Sequence, residues 1–144
     1  MSDQNRLLCR ELSLLAFNRR VLAQAQDARV PLLERLRFLC IVSSNLDEFF
    51  EVRMAWLKRE HKLRPSSRLD NGKTPAETIA AVSAEAHAII QEQYALFNDE
   101  LQPALSREGI HFYRRRNWTP AQRAWIERYF DCELLPILTP IGLD

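Results

Sequence analysis

Apolar residues recur along most of this chain at intervals of three and four, the period of a helix rather than the alternation of a strand. Leu14, Leu15, Val21, Leu22 and Ala25 mark the first stripe, on a helix that Ser13 can cap and that runs to about Asp27. Asn18 lies on or beside that stripe. Pro31 suits a first helical position, where its missing N–H costs nothing. From Leu32 to about Lys62 no proline or glycine interrupts, so a second helix of ~46 Å is expected. It carries two stripes: Leu32, Leu36, Leu39, Ser43, Leu46, Phe50 and Leu57, and Phe38, Val42, Asn45, Phe49, Val52 and Trp56. Two stripes mean contact on more than one side. After a loop over 64–73, Thr74-Pro-Ala-Glu77 has the form of a capping box with proline at the first helical position. The third helix runs to about Arg107 on Ile79, Val82, Ala86, Ile90, Phe97 and Leu101, with Pro103 expected to kink it or end it early. Ile110–Tyr113 reads as a short strand. Thr119-Pro-Ala-Gln122 is a second capping box, opening a helix to about Leu134 that buries Trp125, Ile126, Tyr129 and Phe130.

The expected fold class is all-α: an antiparallel bundle of long helices over residues 1–107, then the start of a second domain, a short strand plus a helix, over 108–144. The last ten residues are apolar and hostile to helix. They read as a strand whose sheet partners are missing, hence as the opening of a longer protein or a surface that a partner covers.

Composition narrows the chemistry. There are three isolated glycines, Gly72, Gly109 and Gly142, in 144 residues. Neither GxGxxG nor GxxxxGK[ST] can be written, so no familiar phosphate-cradling loop exists in this stretch. Twenty basic against nineteen acidic residues give a net charge of +1, which argues against a dedicated nucleic-acid binder. Cys9, Cys40 and Cys132 are odd in number and far apart, as expected of reduced thiols in a cytoplasmic protein. The N-terminus has no apolar stretch of signal-peptide type, and no uncharged run is long enough for a membrane span.

His61, His87 and His111 are 26 and 24 residues apart, without the spacing of a zinc site. Arg114-Arg115-Arg116 before Trp118 can meet phosphate or stay solvated, and such a run alone specifies little. Arg19, Arg20, Arg35, Arg37 and Arg53 can attract anions, but Glu34, Asp47 and Glu51 can neutralise them. The centre of the second helix is unusual. Ser43-Ser44-Asn45 sets poor helix formers within apolar stripes. A buried amide there is costly unless paired. From chemistry alone, a satisfied Asn45 that fixes helix register is favoured over a ligand contact. As a ligand contact, its planar amide offers an acceptor and donors that can match adenine's amino group and adjacent ring nitrogen.

Three segments change that balance. Glu11-Leu-Ser-Leu-Leu-Ala-Phe-Asn-Arg-Arg-Val-Leu22, Pro31-Leu-Leu-Glu-Arg-Leu-Arg-Phe-Leu39 and Ser44-Asn-Leu-Asp-Glu-Phe-Phe-Glu-Val-Arg53 resemble the N-terminal domain of polyphosphate kinase, the ATP-dependent long-chain type. The resemblance runs from about residue 7 to the end, and Ser44–Arg53 is its most specific part. Leu14 departs from it, standing where the family usually has Trp.

The resemblance implies a kinase that reversibly transfers the terminal phosphate of ATP to polyphosphate, with magnesium. Its phosphohistidine and magnesium-binding residues lie in later domains outside this stretch, so no residue here is expected to be catalytic or to bind metal. It implies one nucleotide contact, Asn45, on the adenine side of ATP or ADP. It further implies the remaining domains of the same chain as partners, a homo-oligomer, a cytoplasmic location with possible peripheral membrane association, and no nucleic-acid partner. The alternative reading is a helical assembly module without a ligand role.

Overall fold

The computed structural model describes residues 9–140. They fall into two compact units, one ending at Gly109 and one beginning at Ile110.

The first unit consists of three helical rods. The first is α1 (Arg10–Gln26). The second is α2 (Leu32–Glu48), a π-helical stretch Phe49–Met54, and α3 (Ala55–Leu63). The third is α4 (Pro75–Ala95), a second π stretch Leu96–Leu101, and α5 (Gln102–Arg107). Cross-links give the directions. Asn18 reaches Val42 while Arg35 reaches Ala25, so α1 and α2 are antiparallel. Gln93 reaches Ser43 while Arg35 reaches Glu100, so the third rod runs antiparallel to the second.

On α1 the buried positions are Glu11, Leu15, Asn18, Leu22 and Ala25, a single stripe at helical spacing. On the second rod they are Leu39, Val42, Leu46, Phe49, Met54 and Leu57. The step from Phe49 to Met54 is five residues, where an unbroken α-helix would bury position 53. The π turn takes up the extra residue and keeps one face toward the core. The third rod repeats the device, with Val82, Ala86 and Ile89 followed by Leu96, Leu101 and Leu105. Here the π stretch directly precedes Pro103, and the helix continues to Arg107 rather than ending early. Widening the turn relieves the clash between a proline ring and the preceding carbonyls.

Both capping boxes form. Thr74 Oγ1 accepts from Glu77 N–H (3.3 Å) and Thr74 N–H donates to Glu77 Oε2 (2.8 Å). Thr119 and Gln122 make the same exchange. The first helix differs from expectation. It starts one turn before Ser13, whose hydroxyl donates back to Cys9 O (3.0 Å) instead of capping forward. Gly109, just past the end of α5, has φ 81°, the left-handed conformation that glycine supplies at helix ends.

The second unit holds a 3₁₀ turn at Arg115–Asn117, then α6 (Pro120–Tyr129), a π stretch Phe130–Leu134 and a 3₁₀ turn Leu135–Ile137. The expected strand at Ile110–Tyr113 does not form, and there is no strand among the described residues. A strand needs a second strand to form its ladder, and none occurs among the described residues. The apolar tail through Pro140 likewise forms no strand, and residues 141–144 lie outside the described residues. Trp125, Tyr129 and Phe130, expected to be buried, are exposed, and Ile126 is half-buried. Trp125 and Tyr129 stack on each other, centroids 5.3 Å apart.

Candidate functional site

A small cleft opens where α1 crosses the junction of α2 with the first π stretch. Leu14, Leu15, Phe17 and Asn18 come from α1, Asn45 and Glu48 from α2, and Phe49, Val52 and Arg53 from the π stretch. Its volume is about 160 Å³. Leu14, Phe17 and Val52 are exposed and form an apolar rim. Phe49 is buried and meets Phe50 edge to face at 5.8 Å. Arg20 lies over the Phe17 ring, its guanidinium carbon 5.5 Å from the centroid, which holds that exposed ring through a cation–π contact. The π stretch turns Val52 and Arg53 toward the cleft instead of the core.

Two amides lie in the cleft. Asn18 is buried and donates from Nδ2 to Val42 O (3.1 Å). Its Oδ1 accepts from Asn45 Nδ2 (3.0 Å). Asn45 is half-buried, and its own oxygen takes no hydrogen bond among the described residues. The other mid-helix serine of interest, Ser43, accepts from Gln93 Nε2 of α4. The Asn45 oxygen is thus an unused acceptor on a residue that lines the cleft.

The arginines divide sharply. Arg19 is held by Glu85 and by Glu92 (2.8 Å), and the hydrogen bond to Glu85 is the main cause of its raised pKa, followed by that to Glu92. Arg35 serves Ala25 O and Glu100. Arg37 faces Glu34 at 3.6 Å. Arg53 has no ion-pair partner among the described residues. It is half-buried and lines both this cleft and a neighbouring one of about 530 Å³. The larger cleft adds Arg10, Arg64 and Arg68 to Arg53, and is also lined by Glu11, Glu60, Asp70 and Trp56. No local pattern in the sequence signals this group, because its arginines come from α1, the first π stretch and the loop over 64–73.

The remaining candidates are not brought together. His61, His87 and His111 are all exposed, and His87 Nδ1 donates to Ser83 O (2.6 Å). No cluster of three or more potential metal ligands occurs among the described residues. Arg114, Arg115 and Arg116 are exposed beside the 3₁₀ turn. Cys9, Cys40 and Cys132 are free thiols. No helix among the described residues is long and apolar enough to cross a membrane.

The smaller cleft combines an apolar rim with an amide oxygen that is free to accept a hydrogen bond. Its volume is below the ~300–1,000 Å³ of a complete small-molecule pocket, so it can enclose only part of a ligand of that class.

Comparison with known proteins agrees in placing the chain. Residues 7–113 match the polyphosphate kinase N-terminal domain family. The chain is similar to polyphosphate kinase of Neisseria meningitidis serogroup A, 78% identical over all of this chain and 21% of that protein. It is 51% identical to polyphosphate kinase of Burkholderia multivorans, again over 100% of this chain and 21% of the relative. Among solved structures, the crystal structure of polyphosphate kinase from Porphyromonas gingivalis superposes with a TM-score of 0.68 at 31% identity, covering 93% of this chain and 19% of that one. The chain thus spans about a fifth of the length of the curated relatives it matches.

Proposed function

This chain belongs to the polyphosphate kinase family, as its N-terminal domain, and from that premise we propose that it forms the base-binding part of an enzyme that reversibly transfers the terminal phosphate of ATP to polyphosphate. The observation that carries this reading is the free Asn45 oxygen beside an apolar-rimmed cleft of about 160 Å³. The helical unit that ends at Gly109 acts as the domain, and the segment after it begins the next one.

The division of labour follows from what the cleft contains. Phosphoryl transfer is driven by positioning and by stabilising charge around the phosphates. A covalent phosphohistidine splits the transfer into two steps, with the side chain carrying the phosphoryl group between them. That histidine and the magnesium sites belong to later domains. This unit contributes a rigid wall: Phe17 and Val52 flank the base, Asn45 bonds its amino edge, and Arg53 faces the side from which the anionic part of the ligand extends. It binds and orients ATP or ADP, and it makes and breaks no bonds. Free thiols at Cys9, Cys40 and Cys132 support a cytoplasmic location.

The test is Asn45→Ala in the full-length enzyme. A base contact is made equally in the ground and transition states, so KM for ATP rises, by roughly tenfold for one lost hydrogen bond, while kcat is unchanged. An unchanged KM refutes the base contact.

A further inference from the structure

We infer that Asn18 is a positioning residue that sets which bases the cleft accepts: it holds the Asn45 amide with its oxygen toward the cleft, selecting nucleobases with an exocyclic amino group over those with a carbonyl at that place. The inference rests on the reading of Asn45 as the base contact.

The direction of both amides follows from one main-chain atom. Val42 O is a carbonyl and can only accept. Asn18 lies 3.1 Å from it, so the NH₂ end of Asn18 must face Val42 and its Oδ1 must face the other way. That oxygen also only accepts. Asn45, 3.0 Å from it, must therefore present its own NH₂ to Asn18. Turning Asn45 over would set oxygen against oxygen, and turning Asn18 over would set its oxygen against Val42 O. Only one arrangement satisfies the pair. Asn18 is 3% exposed, so water cannot stand in for it.

The consequence appears at the other end of Asn45. Its Oδ1 has no partner among the described residues, and no buried side-chain nitrogen or oxygen among them lacks one. The Asn45 oxygen is therefore open, beside the cleft. An open acceptor requires a donor. Adenine offers its 6-amino group, whereas guanine offers a 6-carbonyl oxygen in the same place. With that edge of the base against Asn45, the second arrangement opposes two oxygens. If Asn45 were free to turn over, its NH₂ would meet the guanine carbonyl equally well. Asn18 prevents that turn through its hydrogen bond to Asn45.

The experiment uses the full-length enzyme with ATP, GTP and purine riboside triphosphate, which lacks the 6-amino group. The wild type should favour ATP over each of the others by about tenfold or more in kcat/KM, through KM, the size expected for one base-edge contact. Asn18→Ala should cut the ATP-to-GTP preference by about tenfold, chiefly by lowering KM for GTP. Asn18→Asp should keep the preference: protonated, its hydroxyl donates to Val42 O and its carbonyl still accepts from Asn45. A preference within twofold of wild type in Asn18→Ala overturns the inference, and a normal response of KM to Asn45→Ala would then leave the base contact standing. Should Asn18→Ala fail to fold, as its circular dichroism would show, Asn18→Leu, similar in size and without a hydrogen-bonding group, takes its place, and an ATP-to-GTP preference within twofold of wild type in that variant overturns the inference.

Discussion

Arg35 holds the end of one helix to the start of the next, and its replacement by Met should cost far more than replacement of the acid it pairs with. Its side chain is 11% exposed, against 61% for Glu100. Nε donates to Ala25 O at 2.7 Å, and one terminal nitrogen donates to Glu100 Oε2 at 3.0 Å. Ala25 is in the last turn of α1, where carbonyls have no helical donor ahead of them. The amide that would serve Ala25 O, that of Arg29, donates to Asp27 Oδ1 instead (2.9 Å). Arg35 thus supplies a charged donor to a carbonyl that the turn has left without one. A hydrogen bond from a charged group contributes about 1.5–3 kcal/mol, and a cation at a helix C-terminus about 0.3–1 kcal/mol more. The pair with Glu100 adds about 0.2–1 kcal/mol, since one partner is largely in water. Arg35→Met keeps the apolar stem and loses all three, so about 2–5 kcal/mol is expected. Glu100→Gln should cost less than about 1 kcal/mol. Urea unfolding of the chain followed by helical circular dichroism measures both. Equal losses in the two variants, or a loss below about 0.5 kcal/mol for Arg35→Met, would refute the assignment of the strength to the Ala25 carbonyl.

Asp27 should give the stability of the first unit an acid limb. Its carboxylate accepts from the Arg29 side chain and then from the Arg29 backbone N–H, which lowers its pKa from 3.8 to about 2. A lowered folded-state pKa adds stability above the unfolded value and loses it as pH falls through the folded one. Asp27→Asn should therefore be less stable than wild type at neutral pH, with the gap closing between pH 4 and pH 2, as thermal melts across that range would show. A gap that stays constant would rule the linkage out. Thr74→Ala removes the side-chain half of its capping box, the hydroxyl that accepts from Glu77 N–H, and keeps the backbone N–H that donates to Glu77; the midpoint of urea unfolding should fall by an amount equivalent to about 1 kcal/mol, and Thr74→Ser should restore most of it.

The helices were legible wherever local chemistry decides them. Thr74 and Thr119 announce their helices because a cap and its third residue satisfy each other within four positions. Ser13 misleads for the same reason that makes it a good cap, a short hydroxyl that bonds the nearest backbone group, here the carbonyl behind it. The π stretches were not legible. Phe49–Met54 and Leu96–Leu101 contain ordinary helix formers, and only the five-residue steps between buried positions reveal them. Those steps are set by what the opposite rods require. The strand at Ile110–Tyr113 and the burial of Trp125 and Phe130 failed for a related reason: apolar composition states that a segment should be covered, but does not supply the surface that covers it.

The candidate site shows the same limit in a sharper form. Asn45 stood out because a poor helix former inside an apolar stripe demands a partner, yet the sequence could not say whether that partner was protein or ligand. The structure supplies a protein partner at one end of the amide and leaves the other end open. The NH₂ end of Asn45 is taken by Asn18, which fits the view of a satisfied amide that fixes helix register. Its oxygen is left open, which fits the view of a ligand contact. The two readings are not alternatives, because the first is what orients the second. Asn18 lies 27 residues away in the chain, on an antiparallel helix, so no local pattern could have joined them. An amide tied at one end to a buried main-chain carbonyl loses its freedom to turn over, and a group that cannot turn over is the one that can tell an amino edge from a carbonyl edge.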